Sequence, residues 1–301
     1  MSAPLMFSPE AESVPEFSFG PAPRLTSSLF SEEVPLLEHE FDLMRQLIYD
    51  RTGICIADSK RALLIGRLGT VVKERGLRTF QEYYDLLQRD TTGDLLTELF
   101  GRITTNYTYF NREPDHFQYL TKNLLPSVPK NERIRLWSAG CATGPEAFDL
   151  SMHLQAHLDA TGYMQEGMVL GTDISRKAIE FAVKGVYPVD AARAVPPENI
   201  PRYLEPVDKQ HYSVKPRIKN LVKFRVMNLL REVFPFQQKF HAIFCRNVMI
   251  YFDEATRMKL VKHLAEHLLP GGILVLGHCE SLLSVPGELK GEGASVYSRR
   301  A

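Results

Sequence analysis

The apolar positions of this chain change period at about residue 112. From Leu36 to about Ile103 they recur at helical spacing. Phe41, Met44, Leu47 and Ile48 form one stripe, and Gly53 predicts where that helix stops. Asp58 or Ser59 is placed to cap a second helix bearing Leu64, Leu68, Val71 and Val72, with Gly76 after its end. Thr79-Phe80-Gln81-Glu82 is a capping-box pattern that opens a third helix, since hydroxyl and carboxylate can each satisfy a free amide of the first turn. A fourth helix is expected from about Asp94 to Ile103.

Beyond residue 112 short apolar runs alternate with helical stretches. Pro114 suits the first turn of a helix reaching about Leu125. Strands are expected at Ile134–Ser138, Met168–Thr172, Leu221–Val226, Phe240–Cys245, Ile273–Leu276 and Ser295–Arg299, and helices at Glu146–Ala160, Arg176–Lys184 and about Glu254–Leu268. Such alternation predicts an α/β fold with a doubly wound, mostly parallel sheet. Pro188, Pro196, Pro197, Pro201, Pro206 and Pro216 interrupt it over residues 186–220 and forbid long helices there. An inserted small β-subdomain of turns and short strands is expected. The division is then a disordered tail at 1–35, a small all-helical domain at 36–105 and an α/β domain at 106–301.

Composition narrows the function. The 301 residues carry 36 basic and 36 acidic side chains, so the chain lacks the basic surplus with which a general nucleic-acid binder displaces counterions. The balance is uneven. Residues 1–35 hold five acidic groups and only Arg24, whereas Asp58–Thr79 holds six basic groups against two acidic ones. No apolar run approaches the ~18 residues of a membrane span. The N-terminus lacks the basic and apolar regions of a secretory signal, so a cytoplasmic location without membrane insertion is expected. Cys55, Cys141, Cys245 and Cys279 form no C-x-x-C pair, which argues for buried or strand-end thiols rather than a zinc or disulfide framework. No metal is expected.

Three segments carry candidate chemistry. Trp137-Ser138-Ala139-Gly140-Cys141-Ala142-Thr143-Gly144 follows the first strand, and two glycines four apart allow a tight turn that a ligand can approach closely. It is neither a dinucleotide fingerprint nor a phosphate-binding P-loop. Asp173 ends the second strand, where a carboxylate can accept from both hydroxyls of a ribose, while Ser175 is better placed to cap the next helix. The strand Phe240–Cys245 then delivers Arg246, Asn247 and Tyr251 to the same sheet edge, with Asp253 as a helix cap.

With these segments in view the chain resembles class I S-adenosylmethionine-dependent methyltransferases. More narrowly, I-T-T-N-Y-T-Y-F-N-R-E (103–113), W-S-A-G-C-A-T-G-P-E (137–146), T-D-I-S (172–175), F-C-R-N-V-M-I-Y-F-D (244–253) and G-H-C-E-S-L (277–282) resemble the CheR-type chemotaxis receptor glutamate methyltransferases, from about Leu36 to the C-terminus. The resemblance implies a Rossmann-like methyltransferase sheet and S-adenosylmethionine as cofactor. It implies that Asn106, Thr108 and Arg112 lie on a segment that closes over that cofactor. Gly140, Glu146 and Asp173 would hold it, with Asn228 and Leu229 flanking the adenine and Arg246 and Asn247 completing the edge. Arg112 would also be catalytic, as the fork that grips the substrate carboxylate, with the Tyr251 hydroxyl assisting near the transferred methyl.

The implied activity is methylation of glutamate side chains on the helical cytoplasmic region of chemoreceptors, by a monomer that yields methyl esters and S-adenosylhomocysteine. The helical domain would dock on receptor helices, and in some members the insert grips a receptor C-terminal peptide. Five residues depart from the family pattern: Pro145, Ala147, Phe148 and Asp149 within its usual Gly-Glu-Glu-Pro-Tyr-Ser, and Asn111 where phenylalanine is common. Pro145 and Asp149 motivate an alternative, a cofactor-binding regulatory module that lost transfer. A small-molecule methyltransferase is a third reading, which leaves the helical domain without a purpose.

Overall fold

The computed structural model describes residues 34–104, 106–161, 165–282 and 284–301, so the tail expected at 1–35 lies, up to residue 33, outside the described residues. Four helices come first: α1 (Glu38–Thr52), α2 (Arg61–Glu74), α3 (Phe80–Gln88) and α4 (Asp94–Ile103). The first two bury the stripes read from the sequence, Phe41, Met44, Leu47 and Ile48 on α1 and Leu64, Leu68, Val71 and Val72 on α2. The start of α2 differs from expectation. Asp58 and Ser59 form a 3-10 turn ahead of it and do not cap it; Asp58 instead accepts from Arg45 at 2.8 Å. At α3 the Thr79 hydroxyl accepts from Glu82 N as expected, but the Glu82 carboxylate turns to Arg78 N, one residue outside the box.

Next come α5 (Pro114–Tyr119), β1 (Ile134–Ala139), α6 (Pro145–Ala160), β2 (Gly167–Asp173) and α7 (Arg176–Lys184). The helix begun at Pro114 does not run on as α-helix to Leu125: Leu120–Leu124 is a π turn and Leu125–Ser127 a 3-10 turn, as Pro126 denies the next amide. The insert holds β3 (Val186–Pro188), α8 (Val189–Ala192), α9 (Ile200–Tyr203), β4 (Leu204–Pro206), β5 (His211–Val214) and α10 (Pro216–Lys219), with the three strands in one antiparallel sheet ordered β3-β5-β4. The chain ends with β6 (Val222–Val226), β7 (Phe240–Cys245), α11 (Glu254–Glu266), β8 (Leu268–Leu276), β9 (Leu289–Gly293) and β10 (Val296–Arg299). Strand β9 escapes sequence reading because it is Leu-Lys-Gly-Glu-Gly, an edge strand with one buried side chain, Leu289.

The main sheet runs β6-β2-β1-β7-β8-β10-β9, parallel through β8 and antiparallel at the last two strands. Both faces are covered, which is why its strands read as continuous apolar runs. Trp137, Ile243, Cys245, Leu274 and Leu276 share one apolar cluster with Met44, Leu64, Phe80 and Leu99 of the helical segment. Their strand neighbours Leu136, Ala242, Phe244, Ile273 and Val275 point the other way, into a cluster with Phe117, Leu150 and Tyr203.

Gly53 aims the helical segment at the sheet edge. It ends α1 in the left-handed region (φ +69), and a Cβ there would lie 2.1 Å from Leu230 Cδ1. The chain then turns so that Ile54 bridges Phe252 and Cys55 N donates to Tyr251 O at 2.8 Å. Two side-chain bonds fix the same joint, Asn228 Nδ2 to Arg51 O (2.7 Å) and Tyr49 Oη to Asp253 Oδ2 (2.6 Å).

Candidate active site

The carboxyl ends of β1, β2 and β7 meet where the strand order reverses direction about β1, the usual ligand crevice of a doubly wound sheet. A pocket opens there with about 930 Å³ of space, the open solvent at its mouth included. Asn106, Thr108, Arg112, Gly140, Glu146, Asp173, Asn228, Leu229, Arg246, Asn247 and Tyr251 all line it, so the fold brings together every site residue expected from the sequence. Thr104, within the quoted 103–113 string, lines it too, and Thr52 and Ile54 add a wall at the end of α1 that the motifs did not point to.

The turn after β1 is pinned by two amides, Gly140 N and Cys141 N, both donating to Thr172 O at 2.8 Å. Gly140 sits at φ +90, where a Cβ would lie 2.3 Å from Val248 Cγ2. Backbone on one side and the Arg246–Tyr251 segment on the other thus approach as closely as glycine permits. Gly140→Ala is expected to cost about 1–3 kcal/mol from the forced contact, plus about 1–2 kcal/mol for the left-handed backbone. A urea-unfolding midpoint unchanged from the parent protein would show that Val248 yields freely.

Asp173 accepts from Ala142 N at 2.9 Å through Oδ2 and from Ser175 N at 2.8 Å through Oδ1. A carboxylate offers about four lone-pair sites, so acceptor capacity remains for a ligand. Burial pushes its pKa up and these amide bonds oppose the rise. As expected, Ser175 caps α7 through Ala178 N and Asp253 caps α11 through Thr256 N.

Two arginines face the pocket in opposite states. Arg246 is buried, its side chain 2% exposed, and it donates to Glu113 Oε2 (3.0 and 3.2 Å), Glu146 Oε2 (3.2 Å) and the Arg112 carbonyl (2.5 Å). Four of the five N–H groups of a guanidinium are thereby engaged. Arg112 is 27% exposed at the rim. Among the described residues it makes one long hydrogen bond, 3.4 Å to Tyr107 O, lies 3.9 Å from Glu113 Oε1, and rests over the Tyr109 ring at 5.7 Å. Glu146 also accepts from Ser138 Oγ at 2.6 Å; burial raises its pKa, against the pull of Arg246 and Ser138.

Sequence reasoning missed Glu113 and Glu280. Glu113 stands in the quoted N-R-E string, yet nothing local shows that it is the partner of Arg246. Glu280 stands in G-H-C-E-S-L and is buried, accepting from Asn247 N (2.6 Å), Gly277 N (2.8 Å) and Ile250 N (3.2 Å). It thereby holds Asn247 in the left-handed region, φ +59. Glu113, His116 and His278 bring ligand-type atoms within 4.8 Å of one another, but Arg246 already bonds the same carboxylate, and its charge opposes a cation there. Burial pushes Cys141 and Cys245 well up, leaving inert thiols, whereas Cys55 and Cys279 are exposed rather than buried.

A glycine turn and an acidic strand end at the crevice of a 6-2-1-7-8-10-9 sheet define an α/β enzyme of the class I methyltransferase type. Residues 106–297 match the family described as CheR methyltransferase, SAM binding domain, and residues 39–104 match CheR methyltransferase, all-alpha domain. The chain belongs to the CheR methyltransferase family, whose cofactor is S-adenosylmethionine. It is 35% identical to the chemotaxis protein methyltransferase of Borreliella burgdorferi, over 84% of this chain and 92% of that protein. The chemotaxis protein methyltransferase of Escherichia coli is 32% identical, with coverages of 89% and 93%. Chemotaxis protein methyltransferase 1 of Pseudomonas aeruginosa is 31% identical, with 82% and 92%.

Proposed function

We propose that this methyltransferase acts on glutamate side-chain carboxylates in the cytoplasmic helical region of chemoreceptors, giving methyl esters and S-adenosylhomocysteine. One observation carries the reading: the pocket pairs a buried Arg246 with four of its five N–H groups engaged and a partly exposed, loosely held Arg112. The first is a clamp. The second has donors to spare for an incoming carboxylate, which a guanidinium grips through paired charge-assisted bonds.

S-adenosylmethionine supplies a methyl on an electrophilic sulfonium when bound, and a glutamate carboxylate, with a reference pKa of about 4.3, is already ionised at neutral pH. The residues therefore need to align rather than to move a proton. Asp173 offers its remaining lone pairs to a ribose, Glu146 and Asn247 line the wall beside it, and Gly140 leaves room for close approach. Asn228 and Leu229 would flank the adenine, and Asn106 and Thr108 would cover the cofactor. Arg112 would hold the substrate carboxylate, with the Tyr251 hydroxyl assisting. Such alignment contributes up to about 7–11 kcal/mol to lowering a barrier.

The regulatory-module alternative is not favoured. Pro145 occupies the first position of α6, where its missing N–H costs nothing, and Asp149 accepts from Asn111 N at 2.7 Å. The docking face is less basic than the count over Asp58–Thr79 suggests: Arg61 pairs with Glu38, Arg75 with Glu98, and Arg67 donates to Ile103 O (2.6 Å) and Thr104 O (3.0 Å). Lys60 and Arg78 are exposed. They support docking on a receptor face that is modestly acidic; on the same reading the enzyme acts as a monomer in the cytoplasm, and the insert takes a receptor C-terminal peptide where one exists.

The test is transfer from methyl-labelled cofactor to receptor fragments with and without their C-terminal tails. Esters release labelled methanol in base; base-stable label would move the reaction to another acceptor. Arg112→Ala should lower kcat by about 10²-fold or more while leaving cofactor affinity within about threefold, the signature of lost alignment. Equal loss of both would place Arg112 among the cofactor ligands instead.

A further inference from the structure

Arg112 is flanked by two residues in the left-handed region, Asn111 at φ +57 and Glu113 at φ +53. Side chains other than glycine stay there only where the surroundings hold them. Each end of this turn is held from the first two turns of α6. At one end Glu146 bonds Arg246, which grips the Glu113 carboxylate and the Arg112 carbonyl. At the other, Asp149 Oδ2 accepts from Asn111 N at 2.7 Å.

Asp149 is an unusual group for its place. It is 5% exposed, lines the pocket wall, and among the described residues forms no ion pair within 4.0 Å. Burying a carboxyl group with so little compensation is unfavourable, and an apolar residue would fill α6 at less cost. What it does supply is an acceptor at the one amide that enters the turn.

We propose that Asp149 is a positioning residue for methyl transfer, its carboxyl oxygen holding the Asn111–Glu113 turn so that the Arg112 guanidinium is aimed at the pocket. The inference rests on the reading of Arg112 given above and extends it to the residue that places it. The effect of Asp149 on transfer would pass through Arg112. A displacement of about 1 Å at such a group can cost about 10²-fold in rate.

The test is a double-mutant cycle on the full chain with S-adenosylmethionine and a receptor fragment, reading kcat, KM and cofactor affinity separately. Asp149→Ala is expected to lower kcat about 10- to 100-fold with cofactor affinity changed less than about threefold. In the Arg112→Ala background the same change should cost less than about twofold, because the group it aims is gone. Asp149→Asn, whose amide oxygen can accept the same N–H, should retain activity within about threefold.

Equal losses in both backgrounds would overturn the proposal, as would Asp149→Asn as impaired as Asp149→Ala. Should the alanine variant fail to fold, Asp149→Leu fills the volume without an acceptor and carries the same cycle. Arg112→Ala with full activity would instead overturn the reading of Arg112 itself, an outcome visible before Asp149 is touched.

Discussion

Arg246→Ala is expected to abolish methyl transfer and cofactor binding together and to lower stability by about 3–5 kcal/mol, the usual penalty for leaving a buried partner unpaired. The guanidinium is 2% exposed and bonds two carboxylates and a carbonyl. Removing it leaves Glu113 and Glu146 facing each other in a buried wall, and the turn that carries Arg112 loses its tie. Arg246→Lys should not rescue, because one ammonium cannot span Glu113, Glu146 and the Arg112 carbonyl in the planar geometry of the fork. Urea unfolding at unchanged m-value, together with calorimetric titration of the cofactor, checks both parts. A variant of parental stability that lost only turnover would make Arg246 a substrate ligand instead of a clamp.

The second large effect belongs to Glu280. Glu280→Ala removes the acceptor of three amides, that of Gly277 buried and those of Asn247 and Ile250 partly buried, where a buried donor left unsatisfied costs about 1–3 kcal/mol, and it releases Asn247 from its left-handed backbone. Glu280→Gln should be nearly as damaging, since both oxygens now accept from backbone N–H groups and the amide nitrogen would face one of those donors. The expectation is a fall in kcat/KM of about 10²-fold, with hydrogen exchange at the Asn247 and Gly277 amides accelerated. A glutamine variant with parental exchange rates would contradict this account of the loop.

Much of the architecture was legible because it depends on spacing. Helix α4 and strand β7 occupy the ranges their periodicity predicts, and the caps Ser175 and Asp253 do the work their positions announce. The failures are cases where a distant group won. Asp58 leaves the cap of α2 for Arg45, and β9 is a strand because β10 offers it a free edge, not because Leu-Lys-Gly-Glu-Gly favours extension. Arg67 looks like part of a docking face and instead satisfies the last carbonyls of α4.

The sequence by itself determined the order of the main helices and of the parallel strands, the doubly wound sheet, the family and the set of residues that gather at one edge. Those follow from hydrophobic period and from motifs a few residues long. Only the tertiary structure decided which role each residue takes. Arg246 meets Glu113 across 133 positions and Glu146 across 100, Asp149 reaches Asn111 across 38, and Glu280 reaches Asn247 across 33. Whether an arginine is a buried clamp or an open hand depends on how many carboxylates the fold brings to it, and that number is a property of space rather than of spacing. The opening change of period at residue 112 thus falls at the turn where Arg112 is held between the two.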